Sequence, residues 1–116
     1  MNQDRTILTN RLGAASRNPS DATLEAAITD LRSHQDDREH LSITLCRGTD
    51  AGEMHVLELF ADGSITYSHY ADCDCDQLLS ECRAEALGVL DITRRFRYLR
   101  DGDMQALNLC LWKNTN

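Results

Sequence analysis

The densest group of chemistry-bearing side chains is Asp72-Cys73-Asp74-Cys75-Asp76, with His69 just before it and Cys82 after it. Thiolates and imidazoles are good zinc ligands, so this run raises a metal site first. Its spacing argues otherwise. Structural zinc sites pair cysteines two to four residues apart at both ends, whereas here a Cys-x-Cys is followed by six residues before Cys82. No second matching pair follows, and the alternating carboxylates are poor ligands for a soft metal. The plainer reading is a polar loop in which Asp74 or Asp76 caps a following helix while Cys82 enters the core. No metal ligand and no cofactor is expected.

Nucleophilic catalysis needs a thiol or hydroxyl with a base held beside it. The chain has five Cys, and its four His are His34, His40, His55 and His69. Only Cys75 falls near an expected helix start, and Asp72, Asp74 and Asp76 around it raise a thiol pKa and oppose activation. His40 and His55 fall in or at the start of strands and read as partly buried structural residues. No GxGxxG, GxxxxGK[ST] or HExxH motif occurs. The chain therefore reads as a binding protein, not an enzyme, with no catalytic residue to name.

Charge is more informative. Lys and Arg number 12 against 19 Asp and Glu, a formal net of −7, which argues against nucleic acid and against anionic membrane surfaces. Between Asp36 and Asp91 stand 13 acidic and three basic residues, a net of −10. Glu53, Glu58, Asp62, Asp72, Asp74 and Asp76 belong to this stretch and form the expected contact surface for a basic protein partner, which such a field steers. By contrast Arg94, Arg95, Arg97 and Arg100 crowd one segment. If helical, residues 94, 97 and 100 make a ridge opposite Ile92, Phe96 and Leu99, best explained by pairing with acids of the same chain.

The elements that must position these residues fit one domain of 116 residues. Residues 1–17 carry few large apolar groups and are expected as a loosely ordered segment before a single α+β domain at 18–116. Asn18-Pro19-Ser20-Asp21 reads as a helix start, with Asn18 as cap, and Leu24, Ala27, Ile28 and Leu31 follow at helical spacing. Leu41 to Cys46, Met54 to Phe60 and Ser64 to Tyr70 alternate as strands, and Asp62-Gly63 signals a tight primed turn with φ > 0 at both centres. Leu78, Leu79, Cys82 and Ala86 suggest a helix. Val89, Ile92, Phe96 and Leu99 suggest another at 91–100, with a second hairpin as the alternative. Leu107 to Trp112 alternates like a closing strand. The expected fold is an antiparallel sheet, a three-stranded meander plus a C-terminal strand, with helices packed on one face.

No apolar run of 18 residues occurs, and Met1 to Gly13 lacks the apolar stretch of a signal peptide, so the cytoplasm is the expected compartment. There an odd number of cysteines is expected to stay reduced.

Three stretches carry a resemblance. Asn18-Pro19-Ser20 with Leu24-Glu25-Ala26-Ala27-Ile28 and Leu31 is one. Met54-His55-Val56-Leu57 through Gly63-Ser64-Ile65-Thr66-Tyr67 is the second. The third is the Phe96 helix, Gly102, and Leu109 to Trp112. Together they resemble the opening helix, central hairpin and Trp-containing close of small α+β immunity proteins of bacterial polymorphic toxin systems. The likeness spans most of 18–112; the Cys-Asp run and the segment after it, residues 72–88, depart from it. It implies neutralisation of a toxin domain, a nuclease or deaminase, by tight binding: carboxylates enter a groove built for phosphates while aromatic residues anchor. Tyr70 and Trp112 are the expected anchors, and Tyr67 is either a third or a core residue. Another protein-binding module is the alternative, such as a phage-encoded inhibitor or an adaptor that forms a homodimer through an exposed strand edge.

Overall fold

The computed structural model describes residues 5–36, 39, 41–49, 52–85 and 87–114. In chain order these form β1 (Arg5–Thr9), β2 (Ala15–Arg17), α1 (Asp21–Ser33), β3 (Ser42–Gly48), β4 (Met54–Phe60), β5 (Ile65–Tyr70), β6 (Leu78–Ala84), α2 (Val89–Asp101), α3 (Met104–Asn108) and β7 (Lys113–Asn114). All strand pairs are antiparallel, in the order β2-β1-β3-β4-β5-β6-β7. The fold is α+β, as the sequence pattern predicts. No helix among the described residues is long and apolar enough to cross a membrane.

Alternation decides which side of the sheet is covered. Across β1, β3, β4 and β5 one face presents Leu8, Ile43, Leu45, Leu57, Leu59, Ile65 and Tyr67, all buried. The register stacks them in rows: Leu8 faces Leu45, Leu45 faces Leu57, and Leu57 faces Tyr67. Onto this face α1 packs Leu24, Ala27, Ile28 and Leu31, and α2 packs Ile92, Phe96 and Leu99. Each of these large side chains contributes roughly 1.5–3 kcal/mol by leaving water.

The helix ends are held by specific contacts. Ser20 Oγ accepts the Thr23 amide at 3.2 Å, and Asp21 sits at the positive end of the helix dipole. The cap is therefore Ser20 and not Asn18, whose backbone turns through φ 47 to reach it. At the far end of α2, Gly102 adopts φ 75 as a left-handed cap. Arg47 of β3 crosses to the same place and donates to the carbonyls of Leu99 (3.5 Å) and Arg100 (2.6 Å).

Several expectations change. Residues 5–17, set apart as a loose segment, hold a hairpin whose β1 pairs with β3 from Arg5–Gly48 to Thr9–Thr44. Residues 78–84 form a strand, not a helix. Their leucines fit a helical stripe, but the exposed edge of β5 takes them as a pairing partner and turns Cys82 and Ala84 toward the core. Ala86, placed on that stripe, and His40 lie outside the described residues. The closing strand shrinks to β7, because Asp103 caps a short helix by accepting the Ala106 amide at 3.1 Å. Leu107 is then buried, while Leu109 and Leu111 are 77% and 85% exposed. In the β4–β5 turn only Gly63 has positive φ; Gly63 donates to Phe60 O and Phe60 to Ser64 O, a three-residue loop instead of a primed two-residue turn.

Two outcomes follow for stability. An added Cβ at Gly102 lies 2.8 Å from Arg47 Nη2 and meets an unfavourable φ. Gly102→Ala should lower the unfolding free energy by at least about 1–2 kcal/mol, read as a shift in the urea midpoint. Asp21 is held below its usual pKa by the hydrogen bond from Arg100, and Asp62 by hydrogen bonds from the Ser64 hydroxyl and amide. A depressed carboxyl stabilises the fold above its unfolded pKa, and the stabilisation fades as pH falls through the folded value. Melting temperature should therefore drop below about pH 4, with a shallower fall in Asp62→Asn.

Candidate partner-binding surface

The helices cover one face of the sheet, and no element among the described residues lies on the other. This open face alternates with the core rows and carries Ile7, Cys46, Met54, Val56, Phe60 and Tyr70 among hydroxyl residues, all partly exposed. Its carboxylates are embedded in that surface. Glu58 accepts from Ser42 Oγ at 2.8 Å, and Glu81 accepts from Ser68 Oγ at 3.3 Å. The face is therefore half apolar, with two oriented carboxylates, Glu58 on β4 and Glu81 on β6.

The Cys-Asp run closes one end of it as the β5–β6 loop. Asp72 organises this loop: its carboxylate accepts the amides of Asp76 (3.1 Å) and Gln77 (3.0 Å), and its carbonyl accepts from Cys75. Neither Asp74 nor Asp76 caps a helix, since a strand follows; both are exposed. Cys73 Sγ donates to Gly52 O at 3.4 Å and joins the loop to the β3–β4 turn. Burial first, and then Asp72, Cys73, Asp74 and Asp76, push the Cys75 thiol up. Burial likewise raises Cys46, Cys82 and Cys110, so none of these four is biased toward the thiolate.

The expected contact residues divide into groups. Glu53, Tyr70, Asp72, Asp74 and Asp76 meet at one end of the sheet, and Glu58 lies on the open face between the two ends. Asp62 lies at the opposite end, in the β4–β5 turn, where Ser64 holds it at 2.6 and 2.9 Å. Beside it, Leu41, Phe60, Asp62, Thr66 and Arg83 line a shallow depression of about 490 Å³. Trp112 belongs to neither group. It lies on the helix side, its indole N–H donating to Leu107 O at 2.9 Å, its ring 5.7 Å from Tyr67 and 4.5 Å under the Arg95 guanidinium. Tyr67 is a core residue, and burial above all pushes its phenol up to about 12.

Part of the basic segment is likewise engaged within the chain. Arg95, only 3% exposed, donates to Leu111 O (3.0 Å) and Asp91 (3.3 Å), while Arg100 pairs with Asp21 and Asp101. Arg97 reaches Asp21 at 3.5 Å. Sequence spacing identifies the ridge but not that Arg95 beside it turns into the core.

Two residues that the reading of acids passed over stand next to Glu53. His55 and His69 face each other across β4 and β5, rings 4.3 Å apart and 10° from parallel. Their register follows from the turn: with Leu59 opposite Ile65, two steps outward reach Leu57–Tyr67 and then His55–His69. The outer edge of β6 is the other feature left open. β7 pairs only with Cys82 and Arg83, so Leu78 to Glu81 have no partner strand beyond them among the described residues. A homodimer through strand addition requires such an edge.

Because Trp112 is packed inside, truncating it acts on folding. Trp112→Ala should cost about 3 kcal/mol in urea unfolding, the low end for a large aromatic, since the ring is only partly buried. No protein-family model, no curated protein and no solved structure matches the chain.

Proposed function

We propose that the protein is a cytoplasmic inhibitor of the immunity type, which neutralises a basic toxin domain of nuclease or deaminase class by binding over its active site. The observation that carries this reading is the open face of the sheet, half apolar and bordered by Glu53, Asp72, Asp74 and Asp76. A partner with a cationic groove finds complementary charge at this rim and apolar area on the face beside it. Tyr70, at the junction of face and rim, is the aromatic anchor; Glu58 is the carboxylate presented from the face itself. Asp72 supports the loop from within and so shapes the contact more than it makes it.

The raised thiols, and the absence of a motif for nucleophilic or phosphate chemistry in the sequence, agree with a protein that acts by occupancy. The acidic field accounts for speed of capture, and the apolar face for residence.

The test begins with a tagged chain in its native host. A captured protein with nuclease or deaminase activity, inhibited at one equivalent of purified chain, meets the expectation. Asp74→Lys with Asp76→Lys should then slow association about tenfold and flatten its salt dependence, with Asp72 left intact to keep the loop folded. Glu58→Arg should instead speed dissociation. If neither variant changes the kinetics, the open face and its rim are not the interface. If the captured activity is not inhibited, the inhibitor reading fails.

A further inference from the structure

We propose that Glu53, His55 and His69 form a binding site for one divalent transition-metal ion of the zinc class. The observation behind it is the cross-strand convergence of two imidazoles and a carboxylate, of which only Glu53 is shared with the rim of the open face.

The ligand atoms of the three side chains lie within 4.8 Å of one another. Around a single zinc ion, ligand atoms at about 2.0–2.2 Å from the metal stand roughly 3.3 Å apart. The contraction needed is small, and Glu53, 41% exposed, has room to make it. The histidines are placed by backbone pairing of adjacent strands and not by flexible loops, which is how a rigid scaffold holds a metal site.

The state of His69 is the stronger indication. Its Nε2 is buried without a hydrogen bond, although a Glu53 carboxylate oxygen stands 3.4 Å away. The two atoms are near each other without hydrogen-bond geometry. A buried polar atom left in this state is costly, and a metal ion between the imidazole and the carboxylate removes the cost.

His55 has the outer support that metal-binding histidines need. Its Nδ1 lies 2.9 Å from the Tyr67 hydroxyl, so with Nδ1 donating, Nε2 is the nitrogen through which it ligates. Tyr67 is itself fixed against Trp112. The neighbouring cation on the same face, Arg47, directs its guanidinium to the carbonyl end of α2. Two imidazoles and one carboxylate suit zinc, cobalt or nickel better than calcium or magnesium, and three protein ligands leave a position for water or a partner's group.

The thiols require a control, since Cys73 and Cys75 lie in the adjoining loop. Chelator-treated protein is titrated with zinc by calorimetry and with cobalt by absorption, together with a Cys73→Ser/Cys75→Ser variant. One ion per chain is expected, bound equally by the double serine variant and without a thiolate-to-cobalt charge-transfer band. His69→Gln and Glu53→Gln should each weaken binding at least tenfold, and zinc in hundredfold excess over Kd should raise the melting temperature of the parent but not of His69→Gln. Absence of stoichiometric binding overturns the proposal. So does loss of binding in the serine variant, which moves the metal to the thiols, or undiminished binding by both His69→Gln and Glu53→Gln.

Discussion

The structure depends on one constraint: a seven-stranded sheet has two faces, and α1, α2 and the single turn of α3 cover only one. Burying both would need more helix than the chain supplies between its strands. The result is a two-layer protein in which alternation has opposite meanings on its two sides. Toward the helices, the core Leu, Ile and Phe are left at most 2% exposed. On the other side, Thr, Ser and Glu alternate with moderate apolar residues, a surface that tolerates water and remains open to a partner.

Charge follows the same division. Four arginines are engaged within the molecule, partly on backbone oxygens: Arg32 on Ala61 O, Arg47 on the end of α2, Arg95 on Leu111 O and Trp112, and Arg100 on Asp21, Asp101 and Pro19 O. Arg95 is the extreme case, a nearly buried cation that ties the C-terminal segment to α2. Its planar guanidinium can stack on an indole and donate to a carbonyl together, which a lysine cannot do. Asp74 and Asp76, by contrast, are exposed in a chain of net charge −7.

Part of this was legible in the residues. Helix α1, strands β3 to β5 and α2 all announce themselves by strong periodicity, and each has a clear apolar face. The weak segments went otherwise for physical reasons. Leu78 and Leu79 support a helical stripe locally, but the cost of leaving β5 with bare amides and carbonyls outweighs that preference. The run from Leu107 alternates perfectly, yet an Asp cap and the neighbouring Gly102 stop start a short helix there first.

By itself the sequence determined the fold class, the sign of the net charge and the acidity of the 72–76 loop, whose aspartates add to burial in raising the Cys75 thiol. These depend on composition and on contacts only a few residues apart. Only the tertiary structure decided which face stays uncovered, that Trp112 packs inside while Tyr70 remains at the rim, and that His55 and His69 stand together beside Glu53. Those are facts of strand register and layer order, set by pairing between distant segments. A side chain's type names the chemistry available to it, but a neighbour supplied from elsewhere in the chain decides whether that chemistry has a partner.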